Sequence, residues 1–152
     1  MSNEATRQIV DALYAAYKSG DAGAFFGMVD DDVAWSMVGP VTVFPFGGSK
    51  KGKIAVREAL ALLGQQYRLE RHDKKVMIVE GDEAALIIDA AFLQLATGRT
   101  ITVRLANFLR FRNGRLVEFQ EFGDTFDVVE QAMGRWLAVD APPVPPLARA
   151  GV

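Results

Sequence analysis

Glu121 and Asn107 are the residues of this chain best suited to chemistry, because each interrupts an apolar row. In the run Thr100–Arg112, Ile101, Val103, Leu105, Leu109 and Phe111 alternate on one face, with Asn107 among them. In the run Arg115–Phe122, Val117 and Phe119 share a face with Glu121. A carboxylate and an amide on core-facing rows need hydrogen-bond partners or a cavity. A carboxyl enclosed by apolar groups is pushed up toward neutrality, where it can take or give a proton. An amide can orient an oxygen without titrating. The pair therefore describes acid–base chemistry on a small ligand in a lined pocket.

The connection at Asn113-Gly114 decides whether the two residues meet. A two-residue loop would pair Arg112 with Arg115, and a regular ladder from there would put Asn107 and Glu121 on opposite faces. A three-residue loop with Gly114 as a left-handed bulge pairs Phe111 with Arg115 instead. Asn107 then lies opposite Phe119 and Glu121 opposite Leu105, on one concave face. The outer face becomes Arg104, Arg110, Arg112, Glu118 and Gln120, a solvated set. The bulged register is the expectation.

Other polar and aromatic residues fill out the picture. Tyr17 and Trp35 are candidate walls with a polar tip, joined by Ile88, Ala90, Phe92 and Phe119. Whether Trp35 and Met37 or Ser36 face the pocket stays open. Tyr14 reads as packing. Asp89 points outward and can pair across strands with Arg104. His72 lies in the charged stretch RLERHDKK and reads as part of a solvated strand. Asp124 reads as a helix cap. The run Gly47–Lys53 nearly spells a phosphate-binding loop, but Ile54 stands where a magnesium-binding hydroxyl would be needed, so a mobile basic loop is expected. One histidine and no cysteine make a transition-metal site unexpected, and no cofactor is called for.

These residues need elements to hold them. Ile9, Val10, Leu13, Tyr14 and Tyr17 form the stripe of a first helix, capped by Ser2 or Asn3 and ended by Gly20. Asp21 caps a short second helix, Asp30-Asp31-Asp32 breaks the chain, and Val33–Val38 reads as a strand. A Gly/Pro-punctuated segment runs to Gly48. A third helix spans about Ile54–Gln66, and strands follow at Tyr67–Glu80, Ala84–Ala96, Thr100–Arg112 and Arg115–Phe122. A short helix near Phe126–Leu137 closes residues 1–139. The Pro-rich tail 140–152 is expected to be extended. The 152 residues, 24% charged and 50% hydrophobic, suit one globular α+β domain. A net charge of −2 without a basic stripe argues against nucleic acid. No apolar run is of membrane-spanning length, and the polar start MSNEATRQ has no signal-peptide core, so a cytoplasmic protein is expected.

The order of elements, with SGD at 19–21, DDDVAW at 30–35, GKIAVREAL at 52–60 and FRNGRLVEFQEFGDT at 111–125, resembles the SnoaL-like, ketosteroid-isomerase-related proteins of the nuclear-transport-factor-2-like superfamily. The resemblance covers about residues 5–137. It implies a cone-shaped, cystatin-like barrel: a strongly curved, mostly antiparallel sheet with helices on its concave side, commonly dimeric. The family holds isomerases, polyketide cyclases, epoxide hydrolases, dehydratases and non-catalytic modules. Against ketosteroid isomerase, the aspartate base falls near Ser36, the oxyanion-hole tyrosine at Leu13, one turn from Tyr17, and the oxyanion-hole aspartate at Asn107. Against limonene epoxide hydrolase, Glu121 matches the water-activating aspartate. That enzyme's other polar positions fall at Trp35, Met37, Ile88 and Ala90.

The expected function is small-molecule binding with cofactor-independent acid–base chemistry on an apolar or polycyclic substrate, Glu121 moving the proton and Asn107 polarising an oxygen. Its rivals are a non-catalytic ligand binder and a dimerisation module with a vestigial pocket. Thr102, Ala106 and Phe108 make the outer sheet face apolar enough for a homodimer interface.

Overall fold

In the computed structural model, which describes residues 1–140, local signals start and stop the first elements. Ser2 accepts a hydrogen bond from the Ala5 amide and caps α1 (Asn3–Ser19), and Gly20 ends it in the left-handed conformation. Asp21 caps the short α2 (Ala22–Gly27). Then come β1 (Val29–Met37), β2 (Gly48–Lys51), α3 (Lys53–Gln66), β3 (Tyr67–Glu80), β4 (Glu83–Gln94), β5 (Thr100–Arg112), β6 (Arg115–Gly123) and α4 (Thr125–Met133). Asp124 caps α4 through the Asp127 amide. The strands form one sheet in the order β2-β1-β6-β5-β4-β3. Only the β1–β6 pair is parallel. Edge strands β2 and β3 do not pair with each other, so the curved sheet stays open. The helices cover its concave face, as an α+β cone requires. Among the described residues, no helix is long and apolar enough to cross a membrane. The tail expected to be extended lies, beyond Asp140, outside the described residues.

Two regions depart from the sequence reading. The acidic run Asp30–Asp32 lies inside β1, where the β1–β6 register is irregular between Val29 and Ala34. The run is tolerated there because it faces outward, with Lys53 Nζ 2.7 Å from Asp31. The expected mobile basic loop is instead β2, antiparallel to β1, and its lysines fold onto protein groups: Lys51 onto the Asp32 carbonyl and Lys50 onto the Gly47 carbonyl.

The β5–β6 hairpin brings Asn107 and Glu121 together by another route than the expected one. The turn has two residues, with Asn113 at φ 52° and Gly114 at φ 74°, and Arg112 pairs with Arg115. Positive φ at both positions is the type I′ geometry that suits the twist of a hairpin. The bulge sits further along: Phe111 pairs with Leu116 and Arg110 with Glu118, leaving Val117 extra. That shift restores the phase. Asn107 lies directly opposite Glu121, not opposite Phe119, and Leu116 rather than Val117 fills the core.

Apolar burial falls into two clusters. The larger joins α1, α2 and the sheet through residues such as Val10, Leu13, Leu86, Ile88 and Leu116. The smaller joins α3, α4 and the segment before β2 through Phe44, Phe46, Leu63, Tyr67 and Val129.

Candidate functional site

The site lies between these clusters, in a mostly apolar cavity of about 150 Å³. Glu121 and Asn107 both line it, as do Tyr14, Tyr17, Trp35, Met37, Phe92 and Phe119. Strand alternation explains the wall from β1: Trp35 and Met37 face in, and Ser36 does not line the cavity. Ile88 and Ala90 also do not reach it. They are 0% and 1% exposed on the inner face of β4, where α1 packs directly over the sheet and leaves no space. Asp89 and Arg104 stand opposite each other on the outer face and share two hydrogen bonds, of 2.7 and 3.0 Å. Arg104 is therefore occupied away from Glu121.

A short relay of hydrogen bonds organises the polar part of the wall. The Tyr14 hydroxyl donates to Asn107 Oδ1 at 2.9 Å, and Asn107 Nδ2 donates to Glu121 Oε2 at 2.9 Å. Tyr14 is thus more than packing. It faces the sheet from the fourth turn of α1, where a hydroxyl is needed to satisfy a buried amide. Asn107 is 1% exposed and bonded at both ends, so it holds Glu121 in place. Burial pushes the Glu121 carboxyl above its ordinary range, and the bond from Asn107 opposes that rise only in part. Burial and the nearby Glu121 charge push the Tyr14 and Tyr17 hydroxyls up as well, so both stay protonated donors.

Trp35 stacks on Phe119 with ring centroids 3.9 Å apart. Its indole N–H is the one sealed side-chain polar atom without a hydrogen-bond partner among the described residues. Leaving such a group unpaired costs on the order of 1–3 kcal/mol.

His72 is the residue that sequence reasoning placed wrongly. It is 7% exposed and lines the cavity, with ring centroids 5.2 Å from Tyr14 and 5.7 Å from Tyr17. The charged residues around it belong to an edge strand, where charge blocks pairing with another chain. Register shifts between Leu69 and Arg71 and between Lys74 and Val76 break the period of two and turn His72 inward. Burial, and the charge of Lys18, lower its pKa and keep the imidazole neutral.

A model of the SnoaL-like domain matches residues 10–119. The chain belongs to the SnoaL-like family. Among solved structures, this SnoaL-like chain is similar to a Rhodopseudomonas palustris protein provisionally named an isomerase, 33% identical over 89% of this chain and 100% of that one, at a TM-score of 0.78. It is 23% identical to an NTF2-like protein of unknown function from Burkholderia pseudomallei, covering 87% of this chain and 98% of that one, at a TM-score of 0.78. A provisionally named SnoaL-like polyketide cyclase from Mesorhizobium loti is 21% identical over 76% of this chain and 97% of its own, at a TM-score of 0.62. The last two share the fold alone. No curated protein matches the chain.

Proposed function

We propose that this SnoaL-like protein binds a small, largely apolar molecule bearing an oxygen, and that Glu121 moves a proton on it without a cofactor. The observation that carries this reading is the Tyr14–Asn107–Glu121 relay at the wall of an apolar cavity. A carboxyl held by one oxygen and desolvated works as acid or base near neutrality. Glu121 Oε1 makes no hydrogen bond to the described residues, which leaves one oxygen for the ligand. Asn107 acts as a positioning residue. Tyr17 offers a protonated hydroxyl to an oxygen on which charge builds. The provisional isomerase name of the Rhodopseudomonas palustris relative agrees with proton transfer within one molecule.

The cavity also bounds the substrate. An apolar space of about 150 Å³ holds one benzene-sized ring, so a polycyclic body requires the mouth to open. Phe92 and Phe119 line the cavity without closing it, which favours a working pocket over a vestigial one. The protein acts as a homodimer in this reading, with the outer sheet face as its interface.

Thermal-shift screening of one-ring ketones, epoxides and phenols, followed by turnover assays with Glu121→Gln, tests the proposal. Loss of turnover with affinity kept supports acid–base work by Glu121. An active substrate turned over by the variant at the wild-type rate overturns it.

A further inference from the structure

We propose that His72 forms a second polar end of the same cavity, and that the ligand is an apolar, ring-sized molecule carrying two oxygen substituents, one at Glu121 and one at His72. The inference rests on reading the cavity as a binding site and names what the site selects.

His72 is 7% exposed, and no other described residue hydrogen-bonds its imidazole, which has only its own backbone as a partner. A buried nitrogen without a protein partner calls for one from elsewhere. The nitrogen that the backbone does not hold is not sealed into the protein, since Trp35 Nε1 is the one sealed atom without a partner among the described residues. The cavity that His72 lines is therefore where a partner can reach it.

The two ends are distinct. Glu121 projects from β6 and is held through β5, whereas His72 projects from edge strand β3. Tyr14 and Tyr17 stand between them. Both hydroxyls feel the Glu121 charge, and both rings lie against the imidazole. The rest of the wall is mostly apolar, so a molecule satisfying both ends needs an apolar body with a polar group at each side.

The charged groups that bear on His72 are Lys18 from α1 and Asp73 from its own strand, and they act in opposite directions. Burial decides the balance in favour of neutral imidazole. In that form the nitrogen facing the backbone carbonyl donates to it and the other accepts, so this end takes a hydroxyl.

His72 is the sole histidine, so its ring gives one set of imidazole resonances in NMR. Phenol carries one oxygen, and resorcinol and hydroquinone carry two at different spacings. Titration calorimetry and imidazole NMR with these three compounds test the inference. The expected result is that a dihydric phenol binds about three- to tenfold tighter than phenol, the yield of one added hydrogen bond, and shifts the His72 resonances. His72→Leu should bring that compound down to the affinity of phenol, with His72→Gln recovering part of the gain. The inference is overturned if both dihydric phenols bind no tighter than phenol, or if the resonances stay still at saturation. The NMR arm uses the native chain and decides the matter even if a variant fails to fold. Binding of a dihydric phenol without a response at His72 overturns this inference alone. Failure of all three compounds to bind overturns the cavity reading with it.

Discussion

At the scale of single residues, the cavity sets two titratable groups against each other. Glu121 is shifted upward by burial, so the folded protein prefers it protonated. Below the ordinary carboxylate range it is neutral in both folded and unfolded chains. As pH rises, the unfolded chain ionises first, and stability falls until the folded carboxyl has ionised too. Glu121→Gln removes that loss. Its stability gain over the native protein should appear above about pH 4.3 and grow up to the folded pKa, as measured by denaturant unfolding across pH. His72 behaves in the opposite sense. Its folded pKa is lowered, so its contribution is complete above about pH 6.5 and is lost as pH falls through the folded value. His72→Gln should flatten the acid limb of the same profile. If both variants follow the native profile, neither group is buried as described.

At the scale of elements, the β5–β6 hairpin shows what the sequence revealed and what it hid. The apolar rows with Asn107 and Glu121 as their interruptions were legible, because alternation marks a core face whatever the register. The register was not. A turn and a bulge can each shift the phase by one, and only packing selects where the shift falls. Leu116 fills the core and Val117 becomes the extra residue because the amide of Leu116 bonds the Met28 carbonyl. His72 was hidden in the same way, by bulges in β3 that no local composition announces. Tyr14 was hidden because a helical stripe shows which residues face inward but not which of them meets a polar group.

The turn itself is open to test. Gly114 has φ 74°, and a Cβ there would meet only Ile9 Cδ1 at 3.8 Å, an ordinary contact. Gly114→Ala should therefore cost about 1–2 kcal/mol of unfolding free energy through backbone conformation alone. Asp124→Ala removes the cap of α4 and should cost about 1 kcal/mol. A loss near zero for either would mean that the turn or the cap is not formed in solution.

At the scale of the whole molecule, the outer sheet face carries apolar groups that the monomer leaves uncovered. Ile78 is 65% exposed and Phe108 50%, and Phe108 meets Phe122 edge-on at 6.0 Å. The Asp89–Arg104 pair lies on the same face and can fix orientation without adding much affinity. A second copy of the chain is the occupant proposed for this face. Sedimentation should show a dimer at micromolar concentration, and Phe108→Arg should shift it to monomer with the fold intact. A native chain that stays monomeric through that range excludes the interface.

The stacked Trp35 also makes the protein its own optical reporter. The chain has two indoles at opposite extremes of polarity: Trp35 is 5% exposed against Phe119, and Trp136 is 86% exposed. Iodide should quench Trp136 and leave Trp35 untouched. Trp136→Phe should remove the long-wavelength emission and leave a single blue-shifted emitter on the cavity wall. Any molecule entering beside that ring would change its brightness or colour directly, so occupancy could be followed without a label and before any reaction is known.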